Sequence, residues 1–375
     1  MDALQLLSGD AQTFIDKVWA SAVHVHRAAP DDVVGLLSID DVDHLLTSTA
    51  MRTPALRVAQ DGTVLAASRY TRSATLAGES LTGLVDARKT LELFDGGATL
   101  VLQGLHRYWP PLTDLVRSLE GELGHPCQAN AYLTPPGSQG FALHSDTHDV
   151  FVFQTYGRKL WEVYDDECQR EVLLEPGVCM YLPTGTRHAA RTQSEASLHV
   201  TVGINQVTWR DVLDRVSARV LSGLNLDAAI PAGYLDDPGS LADGLSTRLA
   251  DLAHAIAAVD AEAAAAEEAD RFLTTRAPYL TGGLRDRLST DALHDTTVLH
   301  RRAGSLCVLR QEAERLRVLL GDRELRMPLR LAEPMAYLRE QTSLRPADLA
   351  EWLDPQSRLV LTRRLVREGL LQVGG

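Results

Sequence analysis

Between residues 127 and 206 the chain breaks into short β-forming runs, each closed by Gly, Pro or a polar turn: "CQANAYLTPPGSQG", "DVFVFQTYGRKLWEVYDD", "EVLLEPGVCMYLPTGTRHAAR" and "SLHVTVGINQV". Runs of this kind pair antiparallel and close into a sandwich or barrel, and the spacing here suits a jelly roll. Helical sequence lies on both sides of the block, so the expected class is α+β.

On the N-terminal side, residues 10–55 read as mainly helical. "DAQTFIDKVWASAV" puts Phe14, Val18 and Trp19 on one face, and "SIDDVDHLLTSTA" opens with a Ser cap and an acidic first turn. "ALRVAQDGTVLAASRY" predicts a hairpin around Asp61-Gly62. "ATLVLQGLHRYWPPLTDLVRSLEGELG" predicts a strand followed by a Pro-initiated helix ending at Gly124. Beyond Trp209 the chain turns helical. Leu241, Leu245, Leu249, Leu252, Ile256 and Val259 recur at spacings of four and three and form one apolar stripe, suited to a helix of this chain or of a second copy. In the tail, "SLRPADLAEWLDPQSRLVLTRRLVREGLLQV" resembles a winged helix-turn-helix, with "REGLLQV" opening the wing.

At 375 residues, two or three domains are expected. With 45% hydrophobic and 23% charged residues the balance is that of a globular protein. No apolar run reaches the ~18 residues of a membrane span. The start, "MDALQLLSGDAQTF", has no secretion-signal pattern. Cys127, Cys168, Cys179 and Cys307 lack C-x-x-C spacing and read as reduced thiols, so a cytoplasmic location is expected. The net charge of −13 is uneven: residues 301–375 carry 14 Arg against 10 acidic residues, a net of +4, which leaves −17 on residues 1–300. An acidic body favours basic partners and disfavours nucleic acid. Arginine is used wherever a generic cation would serve, and the three lysines are Lys17, Lys89 and Lys159.

"HSDTHD" concentrates His144, Asp146, His148 and Asp149 just before a strand. Residues two apart on a strand share a face, so His144 and Asp146 converge. A polar strand end facing water is one reading. The other is a two-histidine, one-carboxylate metal site, which needs a histidine from elsewhere. His188, after the "PTGTRH" turn, is the candidate. Lys159 opens "KLWEV" and shares a face with Trp161 and Val163. A buried ammonium there calls for a carboxylate partner, whereas a surface Lys after the Gly157 turn would not. His148 reads as a supporting or surface residue outside the ligand set, His199 as a packed core histidine, and Gly137 and Gly140 as sources of backbone freedom.

"NAYLTPPGSQGFALHSDTHDVFVFQTYGRKLW", followed by "YLPTGTRHAA" and "SLHVTVGI", resembles the JmjC-type ribosomal oxygenases of the cupin superfamily. The resemblance implies a double-stranded β-helix catalytic domain with N-terminal helices (1–212), a helical dimerisation segment (213–298) and a winged-helix domain (299–375). It also implies iron(II), 2-oxoglutarate and O2. His144, Asp146 and His188 would hold the iron, Lys159 the C5 carboxylate of 2-oxoglutarate, and Asn130 and Tyr132 would line the substrate side. Gly203 departs from the serine of histidyl hydroxylases, which leaves the target residue open. The implied activity is hydroxylation of a histidine or arginine side chain in a basic ribosomal protein or a ribosomally made peptide, by a homodimer. The competing reading is a DNA-binding regulator with a cupin sensor, in which Arg358, Arg363, Arg364 and Arg367 face phosphates. A cupin isomerase or dioxygenase working without 2-oxoglutarate would want H-x-H and leaves Lys159 unexplained. A methyl-lysine reader would need clustered aromatics, and aromatic residues are 5% of the chain.

Overall fold

A computed structural model describes residues 2–138, 142–165, 168–192 and 194–374. The chain divides into two compact units, Met1–Gln206 and Val207–Gly375.

The first unit is built on thirteen strands: β1 (His24–Arg27), β2 (Leu56–Gln60), β3 (Thr63–Val64), β4 (Thr71–Leu76), β5 (Glu79–Val85), β6 (Thr99–Leu102), β7 (Cys127–Thr134), β8 (Asp149–Tyr156), β9 (Lys159–Asp165), β10 (Cys168–Leu174), β11 (Val178–Leu182), β12 (Arg187–Thr192) and β13 (Ser197–Ile204). The main antiparallel sheet runs β1-β11-β8-β13-β7-β6-β2-β3, and a smaller sheet, β10-β9-β12, pairs the strands it leaves out. One face of the main sheet packs under the N-terminal helices. Phe14 sits edge-on to Tyr181 at 4.8 Å and beside Phe151 at 5.3 Å, in a core that includes Ala129, Ala131, Val200 and Val202. The opposite face buries Val150, Val152 and Met180 with Trp161, Val163 and Leu174 of the small sheet. Strands covered on both sides must be apolar at every position, which is why "VFVF" and "VCMYL" show no alternation. β7 does alternate. Cys127, Ala129 and Ala131 are buried under the helices, while Gln128, Asn130 and Tyr132 face the space between the sheets.

The jelly-roll expectation holds, as do the Asp61-Gly62 hairpin and the helix Pro110–Leu123. Asp61 and Gly62 both have positive φ (50° and 77°) in a turn joining Gln60 to Thr63, and Gly124 closes the helix in the left-handed region. The helical reading of residues 10–55 needs a correction. His24–Arg27 is a strand on the edge of β11, because pairing with an open sheet edge outweighs weak local propensity.

In the second unit the helices Trp209–Gly223, Pro238–Ala257 and Ala261–Phe272 precede strands β14 (Leu299–Arg301), β15 (Val308–Gln311), β16 (Arg315–Leu319), β17 (Glu324–Pro328), β18 (Ser343–Leu344) and β19 (Leu371–Val373). These form two sheets, β18-β14-β19 and β15-β16-β17. Helix Pro355–Arg367 ends at a turn through Gly369, and β19 then pairs with β14. Helix Pro238–Ala257 buries no residue, and its stripe is open, with Leu245 51% and Leu249 55% exposed. The four arginines of the DNA reading are already engaged. Arg358 pairs with Asp295, Arg363 donates to the carbonyls of Asp291 and Leu293, Arg364 pairs with Glu368 and Arg367 with Asp291. Among the described residues no helix is long and apolar enough to cross a membrane.

Candidate functional site

His144, Asp146 and His188 each offer a donor atom, and the three atoms lie within 4.8 Å of one another. A first-row divalent ion binds such donors at about 2.0–2.2 Å, so the set has only a short distance to close. The convergence does not come from a regular strand, since β8 begins at Asp149. It comes from an isolated bridge. The His144 amide donates to the His188 carbonyl (3.1 Å), the His188 amide donates back (2.8 Å), and the Gly185 amide donates to the Asp146 carbonyl (3.0 Å).

The tautomers follow from the partners. His144 Nδ1 lies 2.8 Å from the Ala142 carbonyl and His188 Nδ1 lies 2.9 Å from the Thr186 carbonyl. A carbonyl only accepts, so each Nδ1 carries the proton and each Nε2 presents a lone pair. Burial holds His188 below its ordinary pKa, with His144 adding to the effect, and so keeps it in the neutral form a metal ligand requires.

Asp149 gives this arrangement its rigidity. It is fully buried, and its carboxylate accepts from the Thr184 amide (2.7 Å), Thr184 Oγ1 (2.8 Å), Gln206 Nε2 (2.9 Å) and the Tyr181 hydroxyl. It thereby pins the turn that delivers His188 to the base of the segment that carries Asp146. Asp149→Ala is expected to strand these donors. Stability should drop by about 3 kcal/mol and metal affinity should drop with it, read by thermal unfolding and metal titration on the same sample. Unchanged metal affinity would separate Asp149 from the site.

The triad opens onto a cavity of about 300 Å³ between the two sheets. At the inner end Lys159 is 3% exposed, with Nζ 3.2 Å from Thr134 Oγ1, which also accepts from Thr99 Oγ1 at 3.1 Å. Among the described residues no carboxylate pairs with Lys159, and burial brings its pKa down to about 7. The surface-lysine reading is therefore excluded. The turn before it requires glycine. Gly157 has φ +62°, and a Cβ there would overlap the Ala196 carbonyl oxygen. Around the cavity, Trp161 Nε1, His199 Nδ1, Gln103 Oε1 and Arg57 Nε are buried with no hydrogen-bond partner among the described residues. Orphaned polar atoms around a hollow are what a polar guest would satisfy.

Asn130 and Tyr132 line the same cavity, so all six residues singled out from the sequence face one space. Asn130 is oriented by accepting from the Gly104 amide at 3.0 Å. His199 is buried as expected but also lines the cavity, stacked on Tyr132 at 4.9 Å and edge-on to Trp161 at 5.4 Å. His148 stands outside the donor set and lines the cavity wall, where Gly203 on β13 leaves room for its ring. Gly137 has the positive φ anticipated for it, and Gly140 lies outside the described residues. Arg57, Thr99 and Gln103 were not legible, since only the pairing of β7 with β6 and of β6 with β2 carries them to the site.

Residues 110–212 match the JmjC domain family. The antiparallel sheets and the His144–Asp146–His188 donor set of the first unit are in keeping with that match. Ribosomal oxygenase 1 of Rattus norvegicus and of Homo sapiens are each 30% identical over 258 residues, 60% of this chain. The chain spans about two fifths of their length, 41% and 38%. The bifunctional lysine-specific demethylase and histidyl-hydroxylase NO66 of Branchiostoma floridae is 37% identical over 144 residues, covering 36% of this chain and 22% of that protein. In structure, the ribosomal oxygenase YcfD of Escherichia coli superposes over 97% of this chain and 98% of its own, with a TM-score of 0.56 at 19% identity. A YcfD structure in complex with cobalt and 2-oxoglutarate gives the same TM-score at 18% identity. The chain thus contains a region similar to the JmjC domain, and the proteins it resembles over a longer span are named as ribosomal oxygenases.

Proposed function

We propose that the protein is an iron(II)- and 2-oxoglutarate-dependent oxygenase that hydroxylates a side chain, histidine or arginine, of a ribosomal protein or a ribosomally made peptide. The observation that carries this reading is the pairing, in one cavity, of the His144–Asp146–His188 donor set with a buried lysine that lacks a carboxylate. Iron bound there would supply oxidation of an unactivated C–H bond by O2, coupled to conversion of 2-oxoglutarate into succinate and CO2. His144, Asp146 and His188 would hold the ion. Lys159, with Thr134 beside it, receives the distal carboxylate and so fixes the direction in which the cosubstrate lies. Asn130 and Tyr132 line the path of the substrate side chain, and the apolar walls around Val150, Val152 and Trp161 keep water out.

The finer organisation is part of the same proposal: residues 1–212 as catalytic domain, 213–298 as dimerisation segment, 299–375 as winged helix, in a cytoplasmic homodimer. The open stripe Leu245–Leu249–Ile256 supports a second copy as the cover of helix Pro238–Ala257. Leu249→Glu is expected to shift the protein to monomer in analytical ultracentrifugation, and an unchanged mass would remove that helix from the interface. The acidic charge of residues 1–300 suits a basic substrate protein.

The direct test is intact-mass analysis of ribosomal proteins from cells with and without this gene. Loss of one oxygen's mass from one protein on deletion is expected. No change, together with no 2-oxoglutarate turnover by the purified protein, would overturn the reading. A pH profile tests Lys159 separately. A carboxylate needs the ammonium form, and the free group titrates at about 7. Cosubstrate affinity should be full below pH 7 and fall about tenfold per pH unit above it. A flat profile would remove Lys159 from this role.

A further inference from the structure

We infer that the side chain modified at this site is uncharged, that His148 contacts it, and that Arg57 excludes a guanidinium; the inference rests on the proposed oxygenase reading and narrows its substrate.

The charges decide first. A divalent ion, the Asp146 carboxylate, a dianionic cosubstrate and the Lys159 ammonium cancel. Arg57 is the charge left over. It lies on β2 in register with Val101, Tyr132 and His199 across the neighbouring strands, so it points to the same side of the sheet as they do. It lines the cavity, and its Nε is buried with no partner among the described residues. Asp146 is the sole carboxylate among the described residues lining the cavity, and it is committed to the donor set. A guanidinium entering here would meet a like charge and find no free anion to receive its fork.

The wall facing the guest is made of hydrogen-bonding side chains: Gln128, Asn130, Thr201 and the His148 imidazole. His148 owes its place to Gly203. The Gly203 backbone needs no left-handed conformation, yet a Cβ there would lie 2.5 Å from His148 Nε2 and 2.7 Å from Cδ2. Any side chain at 203 would displace the ring, so His148 provides the part of the wall that a residue on β13 would otherwise supply. No described residue hydrogen-bonds the His148 ring, which leaves it free to give or take one hydrogen bond with a guest.

The test uses full-length protein loaded with cobalt(II) and 2-oxoglutarate, titrated with N-acetylhistidine amide, N-acetylasparagine amide and N-acetylarginine amide and read by calorimetry. At least one neutral probe should bind about tenfold or more tightly than the arginine probe, and Arg57→Gln should remove most of that gap. His148→Ala and Gly203→Ala should weaken the neutral probe alike, because both remove the ring from its position. Equal or tighter binding of the arginine probe, or no binding of any probe, overturns the inference. So does a loss of 2-oxoglutarate affinity of about tenfold in Arg57→Gln, which would assign that charge to the cosubstrate. Failure of the metal-loaded protein to bind 2-oxoglutarate at all would instead overturn the oxygenase reading on which the inference stands.

Discussion

Replacing His188 by alanine is expected to abolish iron-dependent 2-oxoglutarate turnover and to weaken metal binding by well over a hundredfold. Even groups one step removed from a metal cost about 10–100-fold when lost. His188 is a candidate ligand itself, buried, neutral and with its proton fixed on Nδ1 by the Thr186 carbonyl. Its loss leaves one imidazole and one carboxylate, too few to hold a hard divalent ion in an open site. The backbone half of its role, the paired amide bonds with His144, survives in the variant. The fold should therefore persist, with far-ultraviolet circular dichroism unchanged while manganese titration shows the loss. Full turnover in the variant would mean that the donor set is wrongly assigned.

The second large effect concerns Lys159 and carries two opposite signs. Lys159→Met should weaken 2-oxoglutarate binding by about two to four orders of magnitude, since breaking a buried charge pair costs about 3–5 kcal/mol. The same substitution should stabilise the ligand-free protein. Burial lowers the folded-state pKa to about 7 from 10.5, so between those values the unfolded chain binds the extra proton. Stability of the wild type therefore rises with pH across that window. The gain from Met should be largest below pH 7 and fade towards 10.5, measured by urea unfolding across the range. A variant that lost stability, or kept its affinity, would show that Lys159 serves the fold and not a carboxylate. A buried lysine whose removal stabilises the protein is tolerated only where ligand binding repays the strain.

The oxygenase reading and the fold are connected through the two-sided burial of the main sheet. The N-terminal helices cover one face, so the other face is released to build a cavity with the small sheet. That inner face holds residues from β2, β6, β7, β8 and β13, and the facing sheet contributes Lys159, Trp161 and His188. Chemistry is thereby placed on strands, and the one segment that departs from strand geometry, 142–148, is held by the His144–His188 bridge and by Asp149 beneath it.

What the sequence determined by itself is what local rules write into it. Gly and Pro punctuation marked the jelly-roll runs, Asp61-Gly62 marked its hairpin, and Pro110 and Gly124 bounded a helix. The scarcity of lysine marked Lys159, and "HSDTHD" with "PTGTRH" marked the metal candidates. Each signal needs only a few neighbouring residues, because turns, caps and strand faces are set by backbone sterics. The tertiary structure decided the rest. His24–Arg27 became a strand because β11 offered an edge. Asp149, which closes the polar "HSDTHD" cluster, became the buried anchor of a turn 35 residues away. His148 entered the cavity because Gly203, distant in sequence, carries no side chain. Arg57 reached the site through two strand pairings, and the arginines of the C-terminal helix were claimed by nearby carboxylates and carbonyls. These outcomes depend on which residues meet across the sheets, and no stretch of sequence contains that information until the strands have paired.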